Sequence, residues 1–174
     1  PRPLVLALIL APLPAAAVGP LEDPPPPTPT SDSPDGQVWN DSTDRCERAQ
    51  SSRHGDRALI AAARELACAG RPDSAALVLA ALADPLDDLA LTYRGFIARL
   101  QGDDEGAAAW YRAALHRNPA NLWARSYWGQ GMVASGDRAG AAVQLAEIRA
   151  CGGAGTRAEA ALVEALATGR LARF

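Results

Sequence analysis

The sequence predicts an all-α fold in which about three helical hairpins stack into a short solenoid that a C-terminal helix caps. The first observation is an internal interval of 34 positions, which separates Gly95 from Gly129 and Gly102 from Gly136. The second is the helical spacing of the apolar residues around these positions. Because a hairpin of this size buries only part of its apolar face, it is expected to stack on its neighbours.

The N-terminal segment is typical of an export signal followed by a spacer. Leu4 to Leu13 form an apolar run too short to span a bilayer, and Ala15 to Ala17 offer a small-residue cleavage site. We therefore expect a signal peptide over residues 1–17 and a periplasmic or secreted protein, with an uncleaved, membrane-tethered form as the alternative. The Pro-rich stretch that follows predicts a disordered spacer over residues 18–44, because clustered Pro removes backbone donors and favours extended chain.

Composition narrows the class of protein. The chain has 17 basic residues, all of them Arg, against 20 acidic ones, for a net charge of -3. This balance gives no electrostatic case for nucleic acid, which needs clustered cations. Arg without Lys, together with much Ala, Gly and Pro, indicates a GC-rich bacterial genome. After the signal peptide we expect no integral membrane span.

The helical composition that begins near residue 45 predicts a repeat domain over residues 45–174. Within it the helix periodicity and the breaks between helices divide the chain into three hairpins and a final helix. The predicted hairpins cover about 57–85, 86–119 and 120–151, and the cap helix covers 155–169.

The middle hairpin shows the signals most clearly. Gly102 can end the first helix in the left-handed conformation, and Asp103 or Asp104 can cap the second. Pro119 ends the second helix, since the residue before Pro disfavours the α region. Gly95 is small at the point where the two antiparallel helices are expected to cross.

The final helix is bounded by its own signals. Thr156 followed by Glu159 three residues later is a capping box, and Gly169 is expected to end the helix. A terminal helix with a polar outer face is what a solenoid needs.

These positions resemble the tetratricopeptide repeat (TPR). The resemblance covers about residues 57–169, and the chain is also similar to small exported proteobacterial TPR proteins. It implies a right-handed superhelical groove, lined by the first helix of each repeat, that holds a partner polypeptide without catalysing a reaction. In the middle copy the matching positions are Gly95, Gln101-Gly102-Asp103, Ala107, Tyr111, Ala114, Leu115 and Pro119.

The resemblance also implies which residues line the groove. Phe96 and Trp123 are candidate apolar anchors, and Arg94 and Arg125 are candidate carboxylate ligands. The alternative is that the two aromatic residues pack between repeats and that the arginines are solvated. Trp128 and Trp110 are expected on packing faces. The predicted groove positions are Leu89, Thr92, Phe96 and Arg99 from the middle copy, Trp123, Ser126, Gln130 and Val133 from the last, with Arg94 and Arg125 beside them.

Catalytic and cofactor signals are weak. His54 and His116 have no Cys, Asp or Glu at metal-ligand spacing on one helical face, and the acidic pairs lie at helix starts, where carboxylates complement the dipole. We therefore expect no catalytic residue, no metal site and no cofactor.

The three cysteines leave two alternatives open. Cys46 can pair with Cys68 and leave Cys151 over, or all three can be small buried side chains. An unpaired thiol on a scaffold would suit a redox or cofactor-maturation accessory. A structural protein that self-associates along its repeats is a further alternative to the adaptor.

Overall fold

The computed structural model describes residues 29–51 and 53–172, and most of these are helical, which confirms the all-α class. The predicted signal peptide and the first part of the spacer lie outside the described residues. The helices are α1 (Asp56–Cys68), α2 (Pro72–Leu79), α3 (Asp88–Leu100), α4 (Asp104–Arg117), α5 (Leu122–Ala134), α6 (Arg138–Ala150) and α7 (Arg157–Thr168).

Consecutive helices form hairpins, and the hairpins lie side by side. α1 packs on α2, α3 on α4 and α5 on α6, while α3 also contacts α1 and α5, and α5 contacts α7. The starts of α3 and α5 are separated by the same interval as the starts of α4 and α6, and this is the interval that the sequence shows. The starts of α1 and α2 precede those of α3 and α4 by an interval two positions shorter. The internal interval of the sequence is therefore also an interval of the structure.

The two later hairpins use the same residues at their turns. Gly102 and Gly136 adopt φ of 83° and 89°, the left-handed conformation that a side chain disfavours. The carboxylates of Asp103 and Asp137 then each accept a hydrogen bond, at 2.8 Å, from the backbone N–H three residues on. The acidic residues at these helix starts act as caps.

A close contact with another helix explains the glycine in the first helix of each later hairpin. A Cβ on Gly95 would lie 2.6 Å from the ring of Tyr111, and a Cβ on Gly129 would lie 2.7 Å from Leu162. Tyr111 belongs to α4 of the same hairpin, whereas Leu162 belongs to α7. Both partners are fully buried.

The core has two parts. The larger one runs through α1 to α4 and ends at Tyr127 of α5. The smaller one lies between α5, α6 and α7, with Ile148 and Leu162 fully buried. Trp123 packs against both parts.

The structure corrects the prediction of a disordered spacer up to residue 44. A 3₁₀ turn at Pro29–Asp32 leads into a hairpin in which β1 (Gln37–Asn40) pairs antiparallel with β2 (Arg45–Arg48). Val38 is only 2% exposed and belongs to the larger core. The repeat domain is therefore preceded by an ordered segment that packs on the first hairpin.

Arg71, at the start of α2, explains why this polar segment is ordered. Its guanidinium donates to the backbone oxygens of Ser31, at 2.8 Å, and of Ser33, and contacts the Asp35 carboxylate at 2.7 Å. The backbone N–H of Gly36 also donates to the Ser74 hydroxyl at 3.2 Å. The hydrogen-bonding groups of this segment find their partners in a distant part of the chain. The composition of the segment alone therefore does not show that it is ordered.

The terminal helix, predicted over 155–169, spans Arg157–Thr168 between the two cap residues that the sequence indicates. The Thr156 hydroxyl accepts from the N–H of Glu159 at 3.3 Å, and Gly169 ends α7 with φ of 76°. The Glu159 carboxylate accepts hydrogen bonds from Arg149 of α6 and from the N–H of Gly155, and these bonds hold its pKa below the ordinary value. Glu159 thus ties α7 to the end of α6.

Candidate functional site

Most of the predicted groove positions lie inside the fold. Thr92, Phe96, Ser126 and Gln130 are 0% exposed, and Val133 is 9% exposed. These five do not line an open surface, which corrects the prediction for them. The physical reason is that neighbouring elements cover both first helices.

Polar partners account for the burial of three of these side chains. The Thr92 hydroxyl accepts a hydrogen bond from Asn121 at 3.0 Å, across the two later hairpins. The Ser126 hydroxyl donates to the backbone oxygen of Ala158 in α7 at 2.8 Å. The Gln130 side-chain oxygen accepts from the N–H of Ala172 at 2.8 Å, so the chain beyond α7 folds back onto α5.

An aromatic stack joins the two later hairpins. The Phe96 and Trp123 rings lie 4.9 Å and 5.6 Å from the Tyr127 ring, both in stacked geometry, and Tyr93 lies 6.3 Å from it. Burial raises the pKa of Tyr93 to about 12 and that of Tyr127 well above its ordinary value. Phe96 is internal to this stack, as the packing alternative had it, whereas Trp123 at its end is only half-buried.

Leu89 and Trp123 keep part of their side chains accessible. Each is the second residue of its helix, in α3 and α5, so the two occupy equivalent positions of neighbouring repeats. Of the apolar residues predicted to line the groove, Leu89 in the first turn of α3 and Trp123 in the first turn of α5 are therefore still accessible.

Arg94 and Arg125 contact groups of their own chain. The Arg94 guanidinium donates to the backbone oxygen of Leu79 at 3.1 Å and lies 5.5 Å from the centre of the Trp110 ring. Arg125 donates to the backbone oxygen of Pro119 at 2.9 Å and lies 3.5 Å from the Glu147 carboxylate. Arg125 thus already has an internal carboxylate partner.

Arg99 lines a cavity of about 120 Å³ where α3 and α4 meet α5, which we call the junction cavity. Tyr111 of α4 and Trp128 and Met132 of α5 contribute its walls, and the exposed residues Asp104 and Ser135 lie at its rim. Only Arg99 belongs to the set predicted from sequence.

Two of the residues that line the junction cavity each carry a polar atom that is closed to solvent. Tyr111 is 1% exposed, and neither its hydroxyl oxygen nor the buried Nε of Arg99 has a hydrogen-bond partner among residues 29–51 and 53–172. Burial raises the pKa of Tyr111 above its ordinary value of 10.0, although both the charge of Arg99 and its polar contact with the Tyr111 side chain act in the opposite direction. The hydroxyl therefore stays protonated over the physiological range and remains a donor.

The Arg99 side chain is held in place from two sides. Its guanidinium carbon lies 5.4 Å from the centre of the Phe96 ring. A Cβ on Gly131 of α5 would lie 3.2 Å from the Arg99 Cδ, so the two are in close contact. The cation thus sits in a defined position beside Tyr111 and Trp128.

Sequence reasoning does not select Tyr111, Trp128, Met132 or Ser135 as site residues. It gives Tyr111 only as a position that matches the repeat, and in the structure the Tyr111 ring packs on Gly95. The signal that was available is a comparison between the repeats, because no other hairpin carries Tyr at that position.

The described part of the chain contains no group of three or more His, Cys, Asp or Glu side chains that could hold a metal ion. No disulfide joins Cys46 to Cys68 there, and the Cys46 sulfur lies 2.7 Å from the Ser33 hydroxyl. Cys151 lies after α6, with its sulfur 3.8 Å from the backbone oxygen of Pro119.

No family model, no curated protein and no solved structure matches this chain. Over the described ranges, none of the helices has the length and apolar character that crossing a bilayer requires.

Proposed function

We propose that this protein is a non-catalytic scaffold of the TPR type that binds a segment of a partner polypeptide. The observation that carries the proposal is the repeated hairpin. The α3–α4 and α5–α6 hairpins recur at one fixed interval, share an Asp cap and a left-handed Gly at the turn, and set α3 beside α5. Stacked hairpins of this kind present a continuous surface on which an extended or helical segment can lie.

The contact surface in this proposal is smaller than the groove expected from sequence. It consists of the first turns of α3 and α5, where Leu89 and Trp123 are both half-buried. Because the Trp123 ring stacks on Tyr127, it is already ordered before a partner arrives. A preordered aromatic anchor loses little conformational entropy on binding, which favours a role in recognition.

Export from the cytoplasm is part of the same proposal. Its support is the apolar run and small-residue site within residues 1–17 of the sequence. The partner is then a polypeptide of the periplasm or the cell exterior.

The experiment is affinity purification of the chain from a periplasmic extract, followed by calorimetric titration of each enriched polypeptide with the purified protein. We expect Trp123→Ala to weaken binding about tenfold or more, the effect of losing an interface anchor. Leu89→Ala should weaken it less. Trp110→Ala is the matched control, because Trp110 is 38% exposed but lies on α4.

Three outcomes would replace the proposal. If the wild type and Trp123→Ala bound with equal affinity and circular dichroism showed both to be folded, the first turns of α3 and α5 would not be the contact surface. An oligomer in light scattering without any enriched polypeptide would support self-association instead. Stoichiometric haem or metal binding that requires a cysteine in thiol titration would support the redox or cofactor-maturation alternative.

A further inference from the structure

We propose that the segment after α7 occupies a peptide-binding site on α5, and that an extended segment of a partner polypeptide displaces it. The segment covers residues 169–172, and we call it the tail. The Ala172 N–H of the tail donates to the side-chain oxygen of Gln130 at 2.8 Å, and Leu171 packs against the smaller core. The inference rests on the proposed function, because it assumes a polypeptide partner, but it concerns a site further along α5 than Trp123.

Gln130 has the chemistry that recognises an extended main chain. It is 0% exposed, and its side-chain nitrogen donates to the Ser126 hydroxyl at 3.3 Å. This bond leaves the side-chain oxygen as an acceptor. A buried acceptor needs a donor, and here the donor is a backbone N–H of a segment without regular secondary structure. Any extended segment offers the same N–H unless Pro stands at that point.

In the middle repeat a side chain covers the equivalent position. One repeat interval before Gln130 lies Phe96, which is also 0% exposed and stacks on the Tyr127 ring at 4.9 Å. One interval after Tyr127 lies Ala161 of α7, whose methyl group is much smaller than a phenol ring. The last repeat therefore has no aromatic side chain equivalent to Tyr127, and the tail supplies the partner of Gln130.

The tail is held more weakly than the helix that it follows. Gly169 ends α7 with φ of 76°, and Arg170 lies 3.7 Å from the Glu164 carboxylate, with the two side chains 81% and 50% exposed. Such an exposed ion pair contributes little to stability. α7 has separate contacts with α5, because the Ser126 hydroxyl donates to the backbone oxygen of Ala158. The tail can therefore leave α5 while α7 stays in place.

The tail also shows what kind of segment fits the site. It places a backbone N–H on Gln130 and, one residue earlier, an apolar side chain against the smaller core. A partner segment therefore needs an extended backbone and an apolar residue directly before the one that donates to Gln130. Because the tail is covalently attached, its effective concentration at the site is high, and a free segment binds only those molecules in which the tail is displaced. The tail thus lowers the apparent affinity for the partner.

The test opens the site in the full chain by Ala172→Pro, which removes the N–H that bonds to Gln130. Ala172→Gly keeps the N–H and is the matched control. The probe is a synthetic peptide with the sequence of residues 168–174, blocked at both ends, which is titrated into each ¹⁵N-labelled protein. The side-chain amide signals of Gln130, assigned as those lost in Gln130→Met, report the binding.

We expect saturable binding of the peptide to Ala172→Pro, with an affinity about tenfold higher than that of the wild type, the effect of removing one competing hydrogen bond. Ala172→Gly should bind the peptide as weakly as the wild type does. Leu171→Ser, which weakens the packing of the tail but keeps the Ala172 N–H, should also raise the affinity for the peptide.

Two results with the peptide would overturn the inference. One is equal affinity of the wild type and Ala172→Pro, and the other is the absence of saturable binding to Ala172→Pro. A polypeptide enriched by affinity purification should likewise bind Ala172→Pro more tightly than the wild type, and equal affinities would show that the partner does not displace the tail. A failure to enrich any polypeptide would count against the proposed function and not against this site, which the peptide titration decides by itself.

Discussion

The middle hairpin and the last hairpin have the same helix spacing and the same turn residues, but different elements cover the glycine of the first helix. In α3–α4, Tyr111 of the second helix covers Gly95 of the first, so the hairpin closes on itself. In α5–α6 the equivalent of Tyr111 is Leu145, and Leu162 of α7 covers Gly129 instead. The difference shows that the last hairpin depends on the element that follows it.

The largest expected effect comes from removing that element. Deletion of residues 154–174 removes α7 and uncovers Gly129, Ser126 and the smaller core. We expect a loss of more than about 5 kcal/mol in the free energy of unfolding, the upper end for a single large-to-small core substitution. Urea unfolding measures it, and truncation after Gly169, which removes the Ala172 contact to Gln130 but keeps α7, separates the contribution of the tail from that of α7. An unchanged midpoint after the larger deletion would mean that α7 does not stabilise the last hairpin.

A pair of single substitutions tests which leucine closes the last hairpin. Leu162→Ala should lower the free energy of unfolding by about 2–5 kcal/mol, because it empties a fully buried site between three helices. Leu145→Ala removes the same atoms from a half-buried position and should cost less. If the two variants unfolded at the same urea concentration, Leu162 of α7 would not be the residue on which the last hairpin depends.

Substitution of the crossing glycines sharpens the contrast. Gly95→Ala places a methyl group against the stiff, buried ring of Tyr111 and should destabilise the protein by about 1–3 kcal/mol. Gly129→Ala should cost less, since the contacted atoms are the ends of a flexible Leu side chain. Adding Tyr111→Leu should recover part of the loss caused by Gly95→Ala but none of that caused by Gly129→Ala. Additive effects in this double-mutant cycle would contradict the assigned crossing.

The smallest expected effect is a dependence on pH at the junction of α6 and α7. Hydrogen bonds from Arg149 and from the N–H of Gly155 lower the pKa of Glu159 from 4.5. A carboxyl with a lowered folded-state pKa stabilises the fold above 4.5, and this contribution is lost as the pH falls through the folded-state value. The difference in stability between the wild type and Glu159→Gln should therefore shrink as the pH drops below 4.5. Parallel stability curves for the two proteins would exclude this linkage.

The sequence predicts where the helices begin and end because the residues that set these boundaries act locally. Gly102 and Asp103 end one helix and begin the next at adjacent positions, and Thr156 and Gly169 bound α7 by equally local signals. The β1–β2 hairpin was not predicted, because Arg71 and Ser74 order the preceding segment from a distant part of the chain.

The candidate site was less predictable than the fold, because accessibility depends on which elements cover a helix. Ser126 and Gln130 occupy expected groove positions, yet α7 and the chain beyond it take up their side chains. Tyr111 matches a repeat position and its ring packs on Gly95, but which residues line the junction cavity depends on three helices at once.

The most direct test of this account is the affinity of Trp123→Ala for a polypeptide that the wild type enriches from a periplasmic extract, measured by calorimetric titration beside the control Trp110→Ala. The account predicts that Trp123→Ala binds about tenfold or more weakly than the wild type and that Trp110→Ala binds as well as the wild type. Equal affinities of the wild type and Trp123→Ala, with both folded, would contradict the account.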